Sequence, residues 1–106
     1  MKQIPPAIQE SYRYLKFKAH GEEKSIGDVV DAVWDSAIAY MGTEGVSDAD
    51  IWIIGNKFDK EKQEGVIKVK SRKEDSLRAA LTLNNGFEDE SFLSVKRVSG
   101  SISGLD

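Results

Sequence analysis

The chain contains 106 residues, of which 40% are hydrophobic and 31% charged, and its formal net charge at pH 7 is -3. This length supports one domain with a single modest core, and we expect residues 1–106 to form it. No apolar run approaches the roughly 18 residues of a membrane span, and the N-terminus lacks the apolar core of a signal peptide, so we expect a cytoplasmic protein without a membrane partner. The absence of cysteine excludes disulfides and thiolate metal sites, and one histidine leaves little for zinc.

The positive charges are segregated along the chain. Nine of the 15 Lys and Arg residues lie in three segments that contain no acid, namely 12–20, 66–73 and 95–99. The acids occupy one face of the first predicted helix and the loops, Glu64 among them. An acidic chain that gathers its cations in this way is typical of a protein with one basic surface.

The first half of the chain contains a predicted strand and a long predicted helix. Residues 12–20 alternate apolar and polar side chains, which predicts a strand. Ser25, with Asp28 three residues later, resembles a helix N-cap, and apolar residues then recur with helical spacing over 26–41. A glycine ends this pattern, and residues 42–50 are predicted to form a loop.

The second half contains a predicted hairpin, a second helix and a last strand. Residues 51–58 are rich in β-branched and aromatic types, which predicts a buried strand. A polar loop joins it to a partner strand at 66–70. A helix is predicted over 72–83, and residues 92–98 alternate again as a strand.

The remaining segments are interpreted as turns or ends. The second helix is expected to end near residues 84–86, where types that tolerate the left-handed conformation accumulate. Residues 1–10 and 99–106 are predicted to be flexible ends. Trp34 and Trp52 both fall on apolar patterns and are interpreted as core residues.

The element order β-α-β-β-α-β indicates the ferredoxin-like arrangement of the α+β class, which RNA-recognition motifs share. In this arrangement a four-stranded antiparallel sheet carries both helices on one face. The side chains predicted to meet the helices are Leu15, Phe17, Ile67, Val69, Leu93 and Val95. Their alternates point the other way, so cations from three strands converge on one open face of the sheet.

The converging cations are candidate contacts to RNA phosphates. The predicted RNA-binding residues are Lys16, Lys18, Lys68, Lys70, Arg72, Lys73 and Arg97. A capping box at Ser71 and Glu74 places Arg72 and Lys73 in the first helical turn, where cations do not favour helix stability and free backbone N–H groups favour an anion. The alternatives are that this pair is merely solvated and that the strand lysines only keep the sheet edge soluble.

Aromatic residues accompany the cations of the first strand. Tyr12 and Tyr14 could stack on bases, or they could pack on a neighbouring strand or a partner subunit. An RNA-recognition motif would also carry aromatic residues in its third strand, and the segment GVIKVKSR has none. The pattern therefore favours contacts to the RNA backbone over base stacking.

The sequence predicts no autonomous active site. His20 stands without a nucleophile-elbow motif and is interpreted as a solvated histidine. The carboxylates lie in solvated runs without metal-binding spacing, so we expect neither catalytic nor metal-binding residues. The segment GTEG has the outline of a nucleic-acid-binding loop, but Glu44 would repel phosphate, and a simple turn is the better interpretation.

Several segments, in order, resemble the archaeal ribonuclease P protein component 2 family, whose eukaryotic relatives are shared by ribonucleases P and MRP. The resemblance runs from Ile4 to Ile102. Its specificity lies in the pattern W-x-I, FD and G-x-I, followed by LTL at 81–83 and VSGSI at 98–102. The residues of the first pattern are Trp52, Ile54, Phe58, Asp59, Gly65 and Ile67.

The resemblance implies a ferredoxin-like subunit of the ribonucleoprotein that removes the 5′ leader of precursor tRNA. In that family the RNA is the catalyst and uses Mg²⁺, and the resemblance implies that the protein itself binds no cofactor. The implied partners are ribonuclease P RNA, the barrel-shaped protein component 3 and other protein subunits, with a homodimer inside a heterotetramer as one option. Relatives often carry a basic tail, whereas this chain ends in Gly104-Leu105-Asp106, and they are commonly basic, whereas this chain is acidic. Both differences imply that the partner protein supplies more of the affinity for RNA.

Two other functions stay open at this point. A ferredoxin-like regulatory or protein-interaction domain would use the same surfaces without an RNA role, and its cations would be incidental. An autonomous enzyme would have to turn over substrate without RNA. An RNA-supporting subunit differs from both because its RNA affinity must fall steeply as salt rises.

Overall fold

The computed structural model describes residues 11–83 and 86–105, which form one four-stranded sheet and two α-helices. The elements are β1 (Tyr12–His20), α1 (Ile26–Ala49), β2 (Trp52–Ile53), β3 (Glu64–Lys70), α2 (Glu74–Leu83) and β4 (Phe92–Ser99). Within these ranges, neither helix combines the length and the apolar composition that crossing a membrane requires.

The sheet has the strand order β2-β3-β1-β4, and all neighbouring strands are antiparallel. In central strand β1, Leu15 lies opposite Ile67 of β3 and Val98 of β4. The two strands that flank each helix in sequence are separated in the sheet by one other strand, so each connection carries its helix across the sheet. This topology confirms the predicted α+β, ferredoxin-like fold.

The core lies between the two helices and one face of the sheet. Leu15, Phe17, Ile67, Val69 and Leu93 are buried as predicted, and Val95 is half-buried. The helices contribute Val29, Ala32, Val33, Ala37, Leu77 and Leu81. Alternate residues of the strands therefore point away from the helices, as the period of two requires.

The helix starts differ in how well they follow the sequence pattern. Ser25 caps α1 as predicted, because its Oγ accepts a hydrogen bond from the backbone N of Asp28 at 3.2 Å. At the second helix, the predicted start at residue 72 is wrong: a 3-10 turn covers Ser71–Lys73, and α2 begins at Glu74. The Ser71 hydroxyl lies 2.7 Å from the hydroxyl of Ser11, so this side chain ties the turn to the start of β1.

Helix α1 is longer than the sequence predicts. Gly42 interrupts it with φ 75° and ψ 170°, but the helix then resumes and continues to its end at Ala49. The predicted loop over 42–50 is therefore wrong for most of its length. Val46 and Ala49 are 9% and 0% exposed, and resuming the helix is what buries them in the core.

Strand β2 is shorter than the predicted strand over 51–58. The strand ends at Ile53, and a 3-10 turn follows over Gly55–Lys57. Beyond the turn, an isolated antiparallel bridge joins Asp59 to Glu64. Strand β3 makes up part of the loss, since it begins at Glu64 instead of residue 66. A short edge strand limits the unpaired backbone that the sheet presents to solvent.

The segment after β4 has a defined conformation. A 3-10 turn covers Ser103–Leu105, and Leu105 is only 3% exposed. This is more order than the Gly- and Ser-rich composition of 99–106 suggests, although flexibility of the two chain ends stays a prediction. Residues 1–10, 84–85 and Asp106 lie outside the described residues, so the predicted N-terminal end and most of the predicted end of α2 lie outside them too.

Candidate nucleic-acid interface

The sheet face opposite the helices, which we call the open face, gathers five of the seven predicted RNA contacts. Lys16 and Lys18 alternate with buried residues of β1, and Lys68 and Lys70 do the same in β3. Arg97 of β4 lies directly opposite Lys16. Cations that are up to about 80 residues apart in the sequence therefore share one surface because β1 pairs with both β3 and β4.

An acid lies among the lysines of this surface. Glu64, predicted to lie in a loop, is the first residue of β3, and its carboxylate lies 3.7 Å from Lys16 Nζ and 3.1 Å from Lys96 Nζ. Lys96 reaches it from a β-bulge, because the register of β4 against β1 shifts beside Lys16. Burial alone would raise the pKa of Glu64, but the hydrogen bond from Lys96 and the charges of nearby lysines outweigh it, and the pKa is lowered. The acid stays charged and offsets repulsion among these cations.

The turn at Ser103–Leu105 covers the centre of the open face. Leu105 and Ile102 line a cavity of about 180 Å³ together with Lys16, Glu64 and Val66. Val66 faces away from the helices, yet it is only 7% exposed. The turn does not reach the corner of the open face that lies near the start of β1 and toward β2. That corner is therefore a separate, uncovered surface.

Arg72 and Lys73 belong to a different arrangement from the one predicted. They lie in the 3-10 turn before α2, and Arg72 makes a two-pronged contact to Asp48, at 2.7 Å and 2.8 Å. Lys73 Nζ is 3.6 Å from the same carboxylate. The sequence does not indicate this pairing, because Asp48 falls in the predicted loop over 42–50, whereas in the structure it lies in the last turn of α1.

We expect Asp48→Asn to make stability decline less steeply as the pH falls from about 4 to about 2. The hydrogen bond from Arg72, with the charges of Arg72 and Lys73, lowers the pKa of Asp48 from 3.8 to about 2. Because the folded-state pKa is depressed, the stabilisation is present above pH 3.8 and is lost as the pH falls through the folded-state value. Thermal unfolding at a series of acidic pH values measures this. Arg72→Gln should flatten the decline in the same way, and two variants as steep as the wild type would contradict the pairing.

The uncovered corner of the open face holds a cluster of aromatic and charged side chains, which we call the aromatic corner: Tyr12, Asp50, Trp52 and Lys68. Trp52 is 61% exposed, so the interpretation of this residue as core was wrong. Asp50 accepts hydrogen bonds from the Tyr12 hydroxyl at 2.6 Å and from Trp52 Nε1 at 2.9 Å. Lys68 Nζ lies 4.3 Å from the centre of the Tyr12 ring.

Local sequence could not have distinguished the two tryptophans. Trp34 packs against the core from α1, as predicted. Trp52 stands between two apolar neighbours, and only its pairing opposite Lys68 in β3 reveals that it faces the open side. The hydrogen bonds from Tyr12 and Trp52 lower the pKa of Asp50, so this carboxylate stays ionised at the centre of the corner.

His20 lies at the far end of the open face. Its Nε2 is 2.7 Å from Ser94 Oγ, and its ring stacks on Phe92 with centroids 4.6 Å apart. These contacts place His20 in a packed pair, more enclosed than the predicted solvated histidine. Among the described residues, no group of three or more His, Asp or Glu side chains is arranged to hold a metal ion.

An antiparallel sheet with helices on one face and a cationic, partly aromatic surface on the other defines a ferredoxin-like domain whose open face is covered at its centre and uncovered at one corner. The chain belongs to the Rpp14/Pop5 family, whose sequence model matches residues 13–106. This membership confirms the resemblance found in the sequence motifs.

The relatives share one name, "Ribonuclease P protein component 2". The protein of Thermococcus gammatolerans is 35% identical over 83 residues, which cover 77% of this chain and 68% of the relative. The protein of Methanococcus aeolicus is 31% identical over 104 residues, or 96% of this chain and 74% of the relative. The protein of Pyrococcus furiosus is 29% identical over 106 residues, or 98% of this chain and 87% of the relative.

Proposed function

We propose that this chain is a protein subunit of ribonuclease P and supports the RNA of that enzyme in removing the 5′ leader of precursor tRNA. The observation that carries the proposal is the gathering of five cationic side chains on one sheet face, in a chain whose relatives are named as ribonuclease P components. Clustered lysines and arginines neutralise phosphates and release their counterions, which drives binding without reading sequence.

The charge distribution orients the molecule on the RNA. The exposed acids Asp28, Asp31 and Asp35 lie along α1, where they line one surface depression with Glu88 and Asp89. The helix layer therefore repels phosphate while the open face attracts it, although the chain as a whole carries a charge of -3. The open face turns toward the RNA and the helices turn away from it.

In this proposal the protein performs no bond cleavage itself. The RNA carries the chemistry with Mg²⁺, and the protein neutralises phosphates so that the RNA reaches its active conformation at lower Mg²⁺. The proposed partners are ribonuclease P RNA, the barrel-shaped protein component 3 and the other protein subunits of the enzyme, with a homodimer inside a heterotetramer as one arrangement. The protein would act in the cytoplasm, where precursor tRNA is processed.

We expect the purified chain to cleave no precursor tRNA by itself. Cleavage should appear when ribonuclease P RNA, the other protein subunits and Mg²⁺ are added, and omitting this chain from that mixture should raise the Mg²⁺ requirement or abolish the reaction. The measurement is release of the 5′ leader from labelled precursor tRNA. Metal-dependent cleavage by RNA-free protein that survives His20→Ala would contradict the proposal.

The other candidate, a protein-interaction domain without an RNA role, is less favoured by the family and by the cationic face. It predicts that a complex with partner proteins forms normally while RNA affinity is weak and independent of salt.

A further inference from the structure

The most exposed aromatic side chain of the described residues is Trp52, which is 61% exposed on the edge strand β2. Tryptophan is the largest side chain and is usually buried for most of its area, so this exposure calls for a partner. By register, Trp52 lies opposite Lys68 of β3, and Lys68 lies opposite Tyr14 of β1. Trp52 therefore borders the cationic part of the open face.

The position of the indole ring is held by the backbone turn that precedes it. Asp50 ends α1 in the left-handed conformation, with φ 52°, which aspartate tolerates better than most residues. Its carboxylate accepts one hydrogen bond from Trp52 Nε1 and one from Tyr12. The polar edge of the indole is thus satisfied inside the protein, and the part left exposed is the aromatic ring.

The cations near the Trp52 ring favour binding of a polyanion. Lys68 and Lys70 both lie close enough to Asp50 to lower its pKa. Lys70 also lies near Asp48, but that carboxylate is already paired with Arg72 and Lys73. Lys68 also sits over the Tyr12 ring, which holds its ammonium group on the open face, and its strand position lies opposite Trp52. Proteins that bind single-stranded nucleic acids combine an aromatic ring with neighbouring cations. A base stacks on the ring, and the cations contact the phosphates.

We propose that Trp52 stacks on an unpaired base of the RNA while Lys68 and Lys70 contact the adjoining phosphates. This inference rests on the proposed function, since it names the part of the RNA that the aromatic corner binds, an unpaired base with its adjoining phosphates. It reverses the expectation from the sequence, which argued against stacking because strand β3 lacks aromatic residues. The aromatic residue comes from β2 instead, one strand further toward the edge.

A protein is the rival occupant of this corner. Trp52 also borders an apolar groove between α1 and β2, of about 580 Å³, lined by Trp34, Val46, Ile51 and Ile53 among others. A protein seated there would bury the same indole ring against apolar side chains and would use neither Lys68 nor Lys70. The two lysines beside the ring favour RNA, and the experiment below separates the two occupants.

The test combines binding with fluorescence. The chain is titrated into labelled ribonuclease P RNA with the other protein subunits present, over a range of salt concentrations. Trp52→Ala should lower RNA affinity by roughly 5- to 100-fold without changing the salt slope, because stacking releases no counterions. Trp52→Phe should keep most of the affinity. The control is Tyr40→Ala on α1, which removes a 48% exposed aromatic ring from the helix layer and should have no effect.

Fluorescence reports the stacking itself. In a Trp34→Phe background Trp52 is the single tryptophan, since the chain has two. A short single-stranded RNA should quench its emission, and the same RNA with abasic sites, equal in phosphate charge, should quench it far less.

Each remaining outcome overturns the inference. Equal quenching by the two RNAs, or Trp52→Ala with wild-type RNA affinity in an enzyme that still assembles, removes base stacking and leaves the proposed function standing. Loss of protein partners with unchanged affinity for RNA assigns the ring to a protein interface. Failure of the wild-type chain to join any ribonuclease P RNA complex removes the proposed function, and the inference with it.

Discussion

Gly65→Val is expected to destabilise the fold by about 2 kcal/mol, because there is no room for a side chain at this position of β3. A Cβ atom built on Gly65 would lie 2.7 Å from Cζ and 2.8 Å from Cε2 of Phe17, and 3.2 Å from Cδ1 of Phe58. Phe17 is fully buried and cannot move aside. Removing a glycine from a strand gains only about 0.5–1 kcal/mol, so the steric cost of about 1–3 kcal/mol or more decides the sign.

Thermal or urea unfolding measures this effect, and two further variants test its cause. Gly55→Ala is the matched control: an added Cβ there meets no atom within 4 Å, and we expect a change below about 1 kcal/mol. Combining Gly65→Ala with Phe17→Leu should cost less than the sum of the two single changes, because leucine removes the ring atoms that clash. Additive costs would show that Phe17 is not what excludes a side chain at Gly65.

Lys68→Ala combined with Lys70→Ala is expected to lower RNA affinity by roughly 25- to 60-fold near 0.1 M salt. Each lost phosphate contact reduces the salt slope by about 0.7–0.9, so the double variant should flatten it by about 1.4–1.8. Folding should change little, since exposed substitutions usually stay within about 0.5 kcal/mol. The measurement is a series of RNA titrations of the reconstituted enzyme at increasing salt, together with the melting temperature.

Two further double variants test whether the effect is specific to the lysines of β3. Lys60→Ala with Lys62→Ala removes the same charge from the exposed loop before β3 and should leave the salt slope nearly unchanged. Arg72→Ala with Lys73→Ala should flatten the slope less than the β3 variant, because Asp48 already neutralises part of this charge. Should the β3 and loop variants behave alike, the open face is only a solvated surface and its charge has no role in RNA binding.

The elements with strong local patterns were predictable from the sequence. The period-two alternation of Tyr12–His20 and the helical spacing from Ile26 to Met41 follow from burying one face of each element. Both segments form the predicted type of element, although α1 continues beyond its predicted end to Ala49. The element order then restricted the topology, because right-handed connections allow few arrangements of four strands and two helices. The meeting of the cations on one sheet face followed from that topology together with the pleat.

Features that depend on distant partners could not be predicted in this way. Whether 43–49 is helical depends on the burial of Val46 and Ala49 in the core, not on Gly42 alone. The pairing of Arg72 with Asp48 spans 24 residues of sequence. Gly65 belongs to one of the motifs that the family resemblance rests on, yet only the packed ring of Phe17 explains why that position excludes a side chain.

The sequence by itself determined the class of fold, the family and the surface on which the positive charge gathers, because alternation, helical spacing and ordered motifs are properties of neighbouring residues. Only the tertiary structure decided which of those cations are already paired with acids, that Leu105 covers the centre of the open face, and that Trp52 lies exposed beside Lys68. The physical reason is that charge pairing and exposure are set by side chains brought together from different elements. A tryptophan between two isoleucines is predicted from the sequence to lie in the core. Trp52 is exposed because it lies on the open side of an edge strand.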